Sequence, residues 1–333
     1  MSYVNTFFNF TSSKDQNMTI TQLQYVLAVA EYRNFTLAAE KCFVTQPTLS
    51  MQVQKLEDEL DVRIFDRTKK PISITEAGEK IVRQARNIVN EAARIKDIVD
   101  QEKGFIGGTF KLGIIPTVMP TLLPMFLKTF IERYPKVQLV IKEQNTEAII
   151  KNLQEGHLDA GIAATPLAKE FLVERPLYYE PFVGYIPPGH RLARAQKLQP
   201  EDLDLSDILL LQDGHCFRDG VINLCKNSGH GDDERFQLDS GSFETLIHLA
   251  DENLGMTLLP YLHTLGLDAK RQQYLKYFQE PPPAREVSLI YHKKELKHQI
   301  SKALREVIAA IVRGAITFQD VQIISPALSG NSA

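Results

Sequence analysis

Two cysteines nine positions apart, in Asp213-Gly214-His215-Cys216-Phe217-Arg218-Asp219-Gly220-Val221-Ile222-Asn223-Leu224-Cys225, are the residues whose type and spacing point to redox chemistry. On a continuous helix their Cα atoms would stand about 13 Å apart on opposite faces. A disulfide requires Cα atoms within roughly 7 Å, so a Cys216–Cys225 bond demands that the intervening segment refold. The pair is therefore a candidate switch. His215 and Arg218 place positive charge beside Cys216, and the break at Gly214 predicts a helix start there; both features stabilise a thiolate and draw its pKa below the free value of about 8.5. Cys225 follows Leu224 on an apolar stretch and reads as the buried, less acidic partner. Two other readings stay open at this point. The cysteines are unrelated core residues, as buried cysteines commonly are, or they form a zinc site with His215 and His230, which lacks the short Cys-x2-4-Cys spacing of structural sites.

The chain of 333 residues, with hydrophobic and charged fractions of 44% and 24%, has the length for two or three domains and the composition of an ordinary soluble protein. Only three cysteines argue against a structural disulfide framework, and a disulfide in such a chain is catalytic or redox-sensing. Residues 1–17 have neither a basic n-region nor an apolar h-region, and no run approaches the roughly 18 apolar residues of a membrane span. A cytoplasmic protein without membrane attachment is expected. The net charge of −3 offers no large basic field, so composition alone does not suggest a nucleic-acid partner.

The elements that position such groups are partly legible. Ile20, Leu23, Leu27 and Ala30 stripe a first helix over Ile20–Arg33. Thr36 is expected to cap a second, Leu37–Cys42. Thr45, with proline in the first turn, starts a third. In that third helix Leu49, Val53, Leu56 and Leu60 form one face, leaving Pro47, Met51, Gln54 and Lys55 opposite, with Thr48 and Ser50 on the shoulders. Two short helices joined by a tight turn form a helix-turn-helix. The arrangement puts Gln46, Pro47, Thr48 and Ser50 near DNA base edges and Lys55 and Thr36 near phosphates. A two-stranded wing, Val62–Phe65 and Ile72–Ile74, carries Arg67, Lys69 and Lys70 at a basic tip. A three-helix bundle with a solvated turn is the competing reading.

Thr75-Glu76-Ala77 opens a long helix in which Ile81, Ala85, Ile88, Ala92, Ile95 and Val99 alternate steps of four and three, the heptad seam of a helix that pairs with a second copy. From Glu76 to Lys103 it would span roughly 40 Å. Gly104, Gly107 and Gly108 end it as a hinge. Strand candidates Phe110–Ile115, Val137–Lys142 and Ala160–Ala164 then alternate with helices Leu122–Tyr134 and Thr146–Glu155, the signature of parallel α/β layers. Gly255–Pro260 and Val287–Tyr291 are further strands, Ile300, Leu304, Ile308 and Ile311 stripe a closing helix, and Pro281–Pro283 reads as a segment crossing between lobes.

The runs Leu23-Gln24-Tyr25, Asn34-Phe35-Thr36-Leu37-Ala38-Ala39-Glu40, Thr45-Gln46-Pro47-Thr48-Leu49-Ser50, Lys55-Leu56-Glu57-Asp58-Glu59-Leu60 and Phe65-Asp66-Arg67-Thr68 resemble the LysR-type transcriptional regulators, over residues 18 to about 320. Within that family, Ile115-Pro116-Thr117-Val118-Met119-Pro120-Thr121-Leu122-Leu123-Pro124 and Asp213-Gly214-His215-Cys216 with Cys225 resemble the OxyR branch of hydrogen-peroxide sensors. The resemblance implies an α/β protein: an N-terminal winged helix-turn-helix (18–74), a dimerisation linker helix (75–104) and a two-lobed regulatory domain like the periplasmic binding proteins (108–325). Lobe I would comprise about 108–180 and 284–325, and lobe II about 181–283. Residues 1–17 are expected to be an extension before Met18, which matches the usual family start, and 326–333 a disordered tail. It further implies that Cys216 is the peroxide-reactive cysteine and Cys225 the resolving one. Thr117, Thr146, His215, Arg218 and Asp219 would line the peroxide pocket. Implied partners are double-stranded DNA, further copies of the chain from dimer to tetramer, RNA polymerase, hydrogen peroxide as signal and a cellular thiol reductant. No cofactor, metal or enzymatic activity is implied, and the role is that of an activator. Phe217, Gly220 and Met119 are positions where substitution within the branch is expected. The alternatives are a LysR-type regulator that binds a small metabolite between its lobes and, from another class, a thiol peroxidase.

Overall fold

The computed structural model describes residues 18–102, 106–225, 240–316 and 320–326, and the chain divides into two units that meet within one helix, at Lys96 and Asp97. The expected N-terminal extension, Gly104 of the hinge, His230 of the zinc reading and the tail beyond 326 lie outside the described residues.

In the first unit, α1 (Ile20–Tyr32) opens on a capping box in which Thr19 and Gln22 satisfy each other's backbone N–H groups. The box draws Gln22 inward, so the buried face is Leu23, Val26, Val29 and Ala30, whereas Ile20 of the expected stripe is exposed. Helix α2 (Phe35–Lys41) is capped by Asn34 instead of Thr36, because the Asn34 side chain accepts from the N–H groups of Thr36 and Leu37 at 2.8 and 3.1 Å. Helix α3 (Gln46–Glu59) starts at Thr45 as expected and buries Leu49, Val53, Leu56 and also Glu57. The wing strands β1 (Phe65–Asp66) and β2 (Ser73–Ile74) pair antiparallel and are shorter than the sequence suggests.

Helix α4 (Glu76–Glu102) follows, with Thr75 accepting from the Gly78 N–H at 2.9 Å. Its heptad seam serves two purposes. Val82 and Ala85 are buried in the core of α1–α3, and Ile81 and Ile88 pack against that core. Ala85, at 1% exposure, is therefore consumed within the chain and is removed from the expected dimer seam, whereas Ile95 and Val99 are 67% and 43% exposed.

The second unit carries β3 (Gly108–Ile114), α5 (Met119–Arg133), β4 (Val137–Glu143), α6 (Thr146–Gln154), β5 (Ala160–Thr165), β6 (Leu172–Tyr185), α7 (Cys216–Leu224), α8 (Phe243–Asp251), β7 (Thr257–Pro260), α9 (Tyr261–Thr264), α10 (Ala269–Gln272), β8 (Leu275–Tyr277), β9 (Pro283–His292), α11 (His298–Val312) and β10 (Gln322–Ile323). The strand order is β4-β3-β5-β9-β6-β7. β3 runs parallel to β4 and β5, but β9 is antiparallel to β5 and β6, so the sheet is mixed rather than uniformly parallel.

The long strand β6 escapes the sequence pattern because Pro176, Glu180 and Pro181 interrupt it; Pro176 sits at a register shift against β9. Pro283 begins β9 instead of closing a loop. Two apolar clusters result. One gathers β3, α5, α6, β5 and α11, and the other gathers the end of β6, α8, β7 and most of α7. The architecture is an N-terminal helix-turn-helix with a two-lobed α/β regulatory region. None of the described helices is long and apolar enough to cross a membrane.

Candidate thiol site and DNA-binding face

Cys216 is the first residue of α7, His215 is its N-cap, and Cys225 is its C-cap. All three cysteines are free thiols, and Cys216 and Cys225 are buried. The helix between them is continuous, which sets their Cα atoms about 13 Å apart and excludes both a direct disulfide in this conformation and a shared zinc ion. The two sulfurs also belong to different cores. Cys216 packs in the cluster of the first lobe, while Phe217, Val221, Leu224 and Cys225 pack in that of the second.

The cation that faces Cys216 is Arg285 of β9, which the sequence reading missed. Burial pushes the Cys216 thiol up; the Arg285 charge, the Thr146 hydroxyl and a backbone hydrogen bond at Ala164 act in the opposite direction. The Thr146 hydroxyl is buried and has no partner of ordinary hydrogen-bond geometry. Arg285 is itself buried and tightly held. Its Nε and Nη2 donate to Glu180 Oε2 at 3.0 and 2.7 Å, its Nη2 also to the Thr117 carbonyl at 3.0 Å, and its Nη1 to Thr117 Oγ1 at 2.9 Å. Those four bonds leave one of its five N–H groups, on Nη1, for another acceptor. The guanidinium lies over the Phe217 ring, 5.1 Å from its centroid. Glu180 is fixed from its other oxygen by the Leu262 N–H at 2.9 Å.

The expected sources of charge are placed differently. Arg218 turns to Asp213, with Nε 2.8 Å from Oδ1, and donates to the Leu211 carbonyl at 3.2 Å. Burial lowers the pKa of His215 and so favours its neutral ring, against an opposing pull from Glu143. Neither supplies the positive charge at the sulfur that the sequence suggested, because one is engaged by a carboxylate and the other is desolvated. Asp219 is held up by burial, with Arg218 pulling it down. Cys225 is pushed up to about 12 by burial and by the nearby charges of Asp204 and Asp207. The structure thus brings Thr146 of α6, Cys216 of α7 and Arg285 of β9 together with Thr117 of the turn between β3 and α5, with His215 and Asp219 on either side of the thiol in sequence. The one sign of Arg285 in the sequence is an arginine just ahead of the strand candidate that runs on to Tyr291.

On the first unit, Gln46, Pro47, Thr48, Met51, Gln54 and Lys55 form an exposed face of α3, and Thr36 is also exposed. Ser50 is half-buried because Arg67 Nη1 donates to its hydroxyl at 3.1 Å. Arg67 is not the free tip cation of the expected wing. It also donates to the buried Glu57 at 3.0 Å and lies 4.8 Å from the centroid of the Phe35 ring. Glu57 accepts from the N–H groups of Ile64 and Phe65 at 2.7 and 3.1 Å, so one carboxylate fixes the root of the wing to α3. Lys69 and Lys70 remain exposed, Lys69 at 3.8 Å from Asp66.

A helix-turn-helix followed by a two-lobed sensor region defines a transcriptional regulator that binds DNA. Residues 20–79 match the bacterial regulatory helix-turn-helix protein of the lysR family, and residues 103–313 match the LysR substrate binding domain. The chain belongs to the LysR family, within its OxyR branch. It is 36% identical over 278 residues to the hydrogen peroxide-inducible genes activator of Pectobacterium carotovorum subsp. carotovorum, covering 82% of this chain and 90% of that protein. It is 35% identical over 299 residues to the DNA-binding transcriptional dual regulator OxyR of Escherichia coli (strain K12), covering 89% and 97%. Among solved structures it resembles a full-length OxyR variant from Pseudomonas aeruginosa, with TM-score 0.72, 32% identity and coverage of 87% and 94%. It also resembles a peroxide-bound cysteine-to-serine OxyR mutant from Corynebacterium glutamicum, with TM-score 0.60, 27% identity and coverage of 91% and 98%.

Proposed function

We propose that this regulator senses hydrogen peroxide through a reversible Cys216–Cys225 disulfide that remodels the regulatory region and changes promoter binding. The observation that carries the reading is a buried thiol facing a buried guanidinium, with the buried Thr146 hydroxyl beside the sulfur. Hydrogen peroxide is small enough for such a place and both donates and accepts hydrogen bonds. Thr146 and Thr117 orient its two oxygens; Thr117 already accepts from Arg285 and so keeps its own O–H to donate. Cys216 passes its proton on and attacks one oxygen. The S–O bond forms, the O–O bond breaks, and hydroxide leaves as water with that proton. The free Nη1 N–H of Arg285 stabilises the developing charge. Because burial disfavours the resting thiolate, selectivity rests on this transition-state stabilisation more than on a permanently ionised sulfur.

The sulfenic acid then meets the Cys225 thiol: an S–S bond forms and a second water leaves. Closing the loop contributes about 2–3 kcal/mol in the chain-entropy model. That is comparable to exposing one buried side chain such as Leu224, at about 1.5–3 kcal/mol. The rearrangement centres on the C-terminal turn of α7, and the similar size of the two terms is what a bistable element requires. A cellular thiol reductant returns the pair to thiols. The reading places the protein in the cytoplasm as an activator that contacts RNA polymerase. It acts as a tetramer built from dimers joined through the later half of the α4 seam, at Ala92, Ile95 and Val99.

The test is thiol trapping of purified protein after micromolar peroxide, with footprinting on promoter DNA. Wild type is expected to acquire the disulfide and a changed footprint, and Cys216→Ser neither. Identical mobility and footprint for the two would overturn the reading.

A further inference from the structure

Past α11 the chain returns to the thiol site. β10 runs parallel to β9 with Gln322 opposite Pro283 and Ile323 opposite Ala284. The N–H of Gln322 donates to the Pro282 carbonyl at 2.9 Å, and that of Ile324 to the Ala284 carbonyl at 2.8 Å. The next residue along β9 is Arg285. Ile324 packs against the second apolar cluster, which includes Phe217, Val221, Leu224 and Cys225, and Pro326 is buried. Ahead of Pro326, the side-chain Nδ2 of Asn223 in α7 donates to the Ser325 carbonyl at 3.0 Å. One short segment is thus fastened at one end to the strand that carries the cation and at the other to the helix that carries the thiol.

We propose that residues 322–326 are a positioning clamp for the thiol site, which holds the helix of Cys216 against the strand of Arg285 in the reduced chain and releases when the Cys216–Cys225 bond reshapes α7. The release rests on the redox reading above. Asn223 stands two residues before Cys225, in the turn that must leave the helix before the sulfurs can meet. When it leaves, Ser325 loses that donor, and the apolar cluster against which Ile324 packs loses Leu224. What then holds β10 is a two-residue pairing with β9, and strands that short have little stability of their own. Its departure strips residues 282–284 of a neighbour and loosens Arg285 just as the sulfur it served has been oxidised.

The test is hydrogen exchange by mass spectrometry on the full chain, reduced and peroxide-treated, with the disulfide quantified by peptide mapping in the same samples. The amides of 322–325 are expected to exchange at least tenfold faster in the disulfide form. In reduced N223A the same amides exchange several-fold faster, and the pH profile of Cys216 alkylation shifts upward as Arg285 drifts from the thiol. A chain ending at Asp320 gives the same alkylation shift and stands in if N223A misfolds by circular dichroism. Unchanged exchange in samples that contain the disulfide overturns the release and leaves the redox reading standing. If no disulfide forms, the redox reading fails and the clamp is judged on the reduced variants alone, where unchanged exchange and an unchanged alkylation profile overturn it.

Discussion

Arg285 shows how a buried charge is made tolerable. An isolated guanidinium in a protein core is very costly, and here Glu180 and both oxygens of Thr117 surround it. Arg285→Ala leaves Glu180 buried without its cation, so a loss of about 3–5 kcal/mol is expected in urea unfolding. Because the Cys216 thiol is raised above its ordinary value, its alkylation rate is expected to keep climbing beyond pH 9, and a plateau near neutrality would contradict the geometry. Cys225 gives a matching stability signature. Its folded pKa, about 12, lies well above that of a free thiol, so its contribution is complete below the free value and is lost as pH rises from there to about 12. Over that range wild type is expected to lose stability faster than Cys225→Ser, by about 1.4 kcal/mol per pH unit. Parallel curves would show that Cys225 is not held protonated by the fold.

Among the elements, α2 and the wing owe their positions to single side chains. Asn34 satisfies two N–H groups at the start of α2, and Asn34→Ala is expected to destabilise the first unit by about 1 kcal/mol. Glu57 satisfies the N–H groups of Ile64 and Phe65 while holding Arg67, so Glu57→Ala leaves two backbone donors unpaired where the wing joins α3. A loss of at least about 2 kcal/mol is expected, measured by thermal melting of the first unit's signal. Arg67 belongs to this internal network, whereas Lys70 is open to solvent. Lys70→Ala should accordingly reduce the slope of log binding constant against log salt by about 0.9, the signature of one lost phosphate contact on duplex DNA. An unchanged slope would remove Lys70 from the interface.

For the molecule as a whole, α4 is read twice along one stripe. Its first turns complete the core of the helix-turn-helix, and its later turns leave Ile95, Ile98 and Val99 in water, where an apolar seam calls for a partner. Ile95→Glu is expected to shift sedimentation from dimer or tetramer toward monomer without altering the melting of the first unit. Ala85→Glu is expected to unfold that unit instead, because it inserts a charge into a closed core. If both substitutions dissociate the protein equally, the division of the stripe is wrong. The two regulatory cores divide α7 in a comparable way, with Cys216 in one and Cys225 in the other. A bond between them therefore has to act on the joint between lobes.

Much of this protein is local, and local features are legible in a sequence. Thr45 with Pro47 starts α3, Leu49, Val53 and Leu56 choose its buried face, and nine residues of helix keep Cys216 and Cys225 apart. These follow from helical geometry and capping, which act over a few residues. The long strand β6 was hidden because prolines and charges that disqualify an isolated strand are tolerated where a neighbour and a salt bridge absorb them. The thiol's environment was decided by tertiary structure. Its cation lies 69 positions further along the chain, its hydroxyls come from Thr117 and Thr146, and the adjacent His215 and Arg218 are desolvated or engaged elsewhere. The physical reason is that charge acts through space and burial, and sheet register sets both.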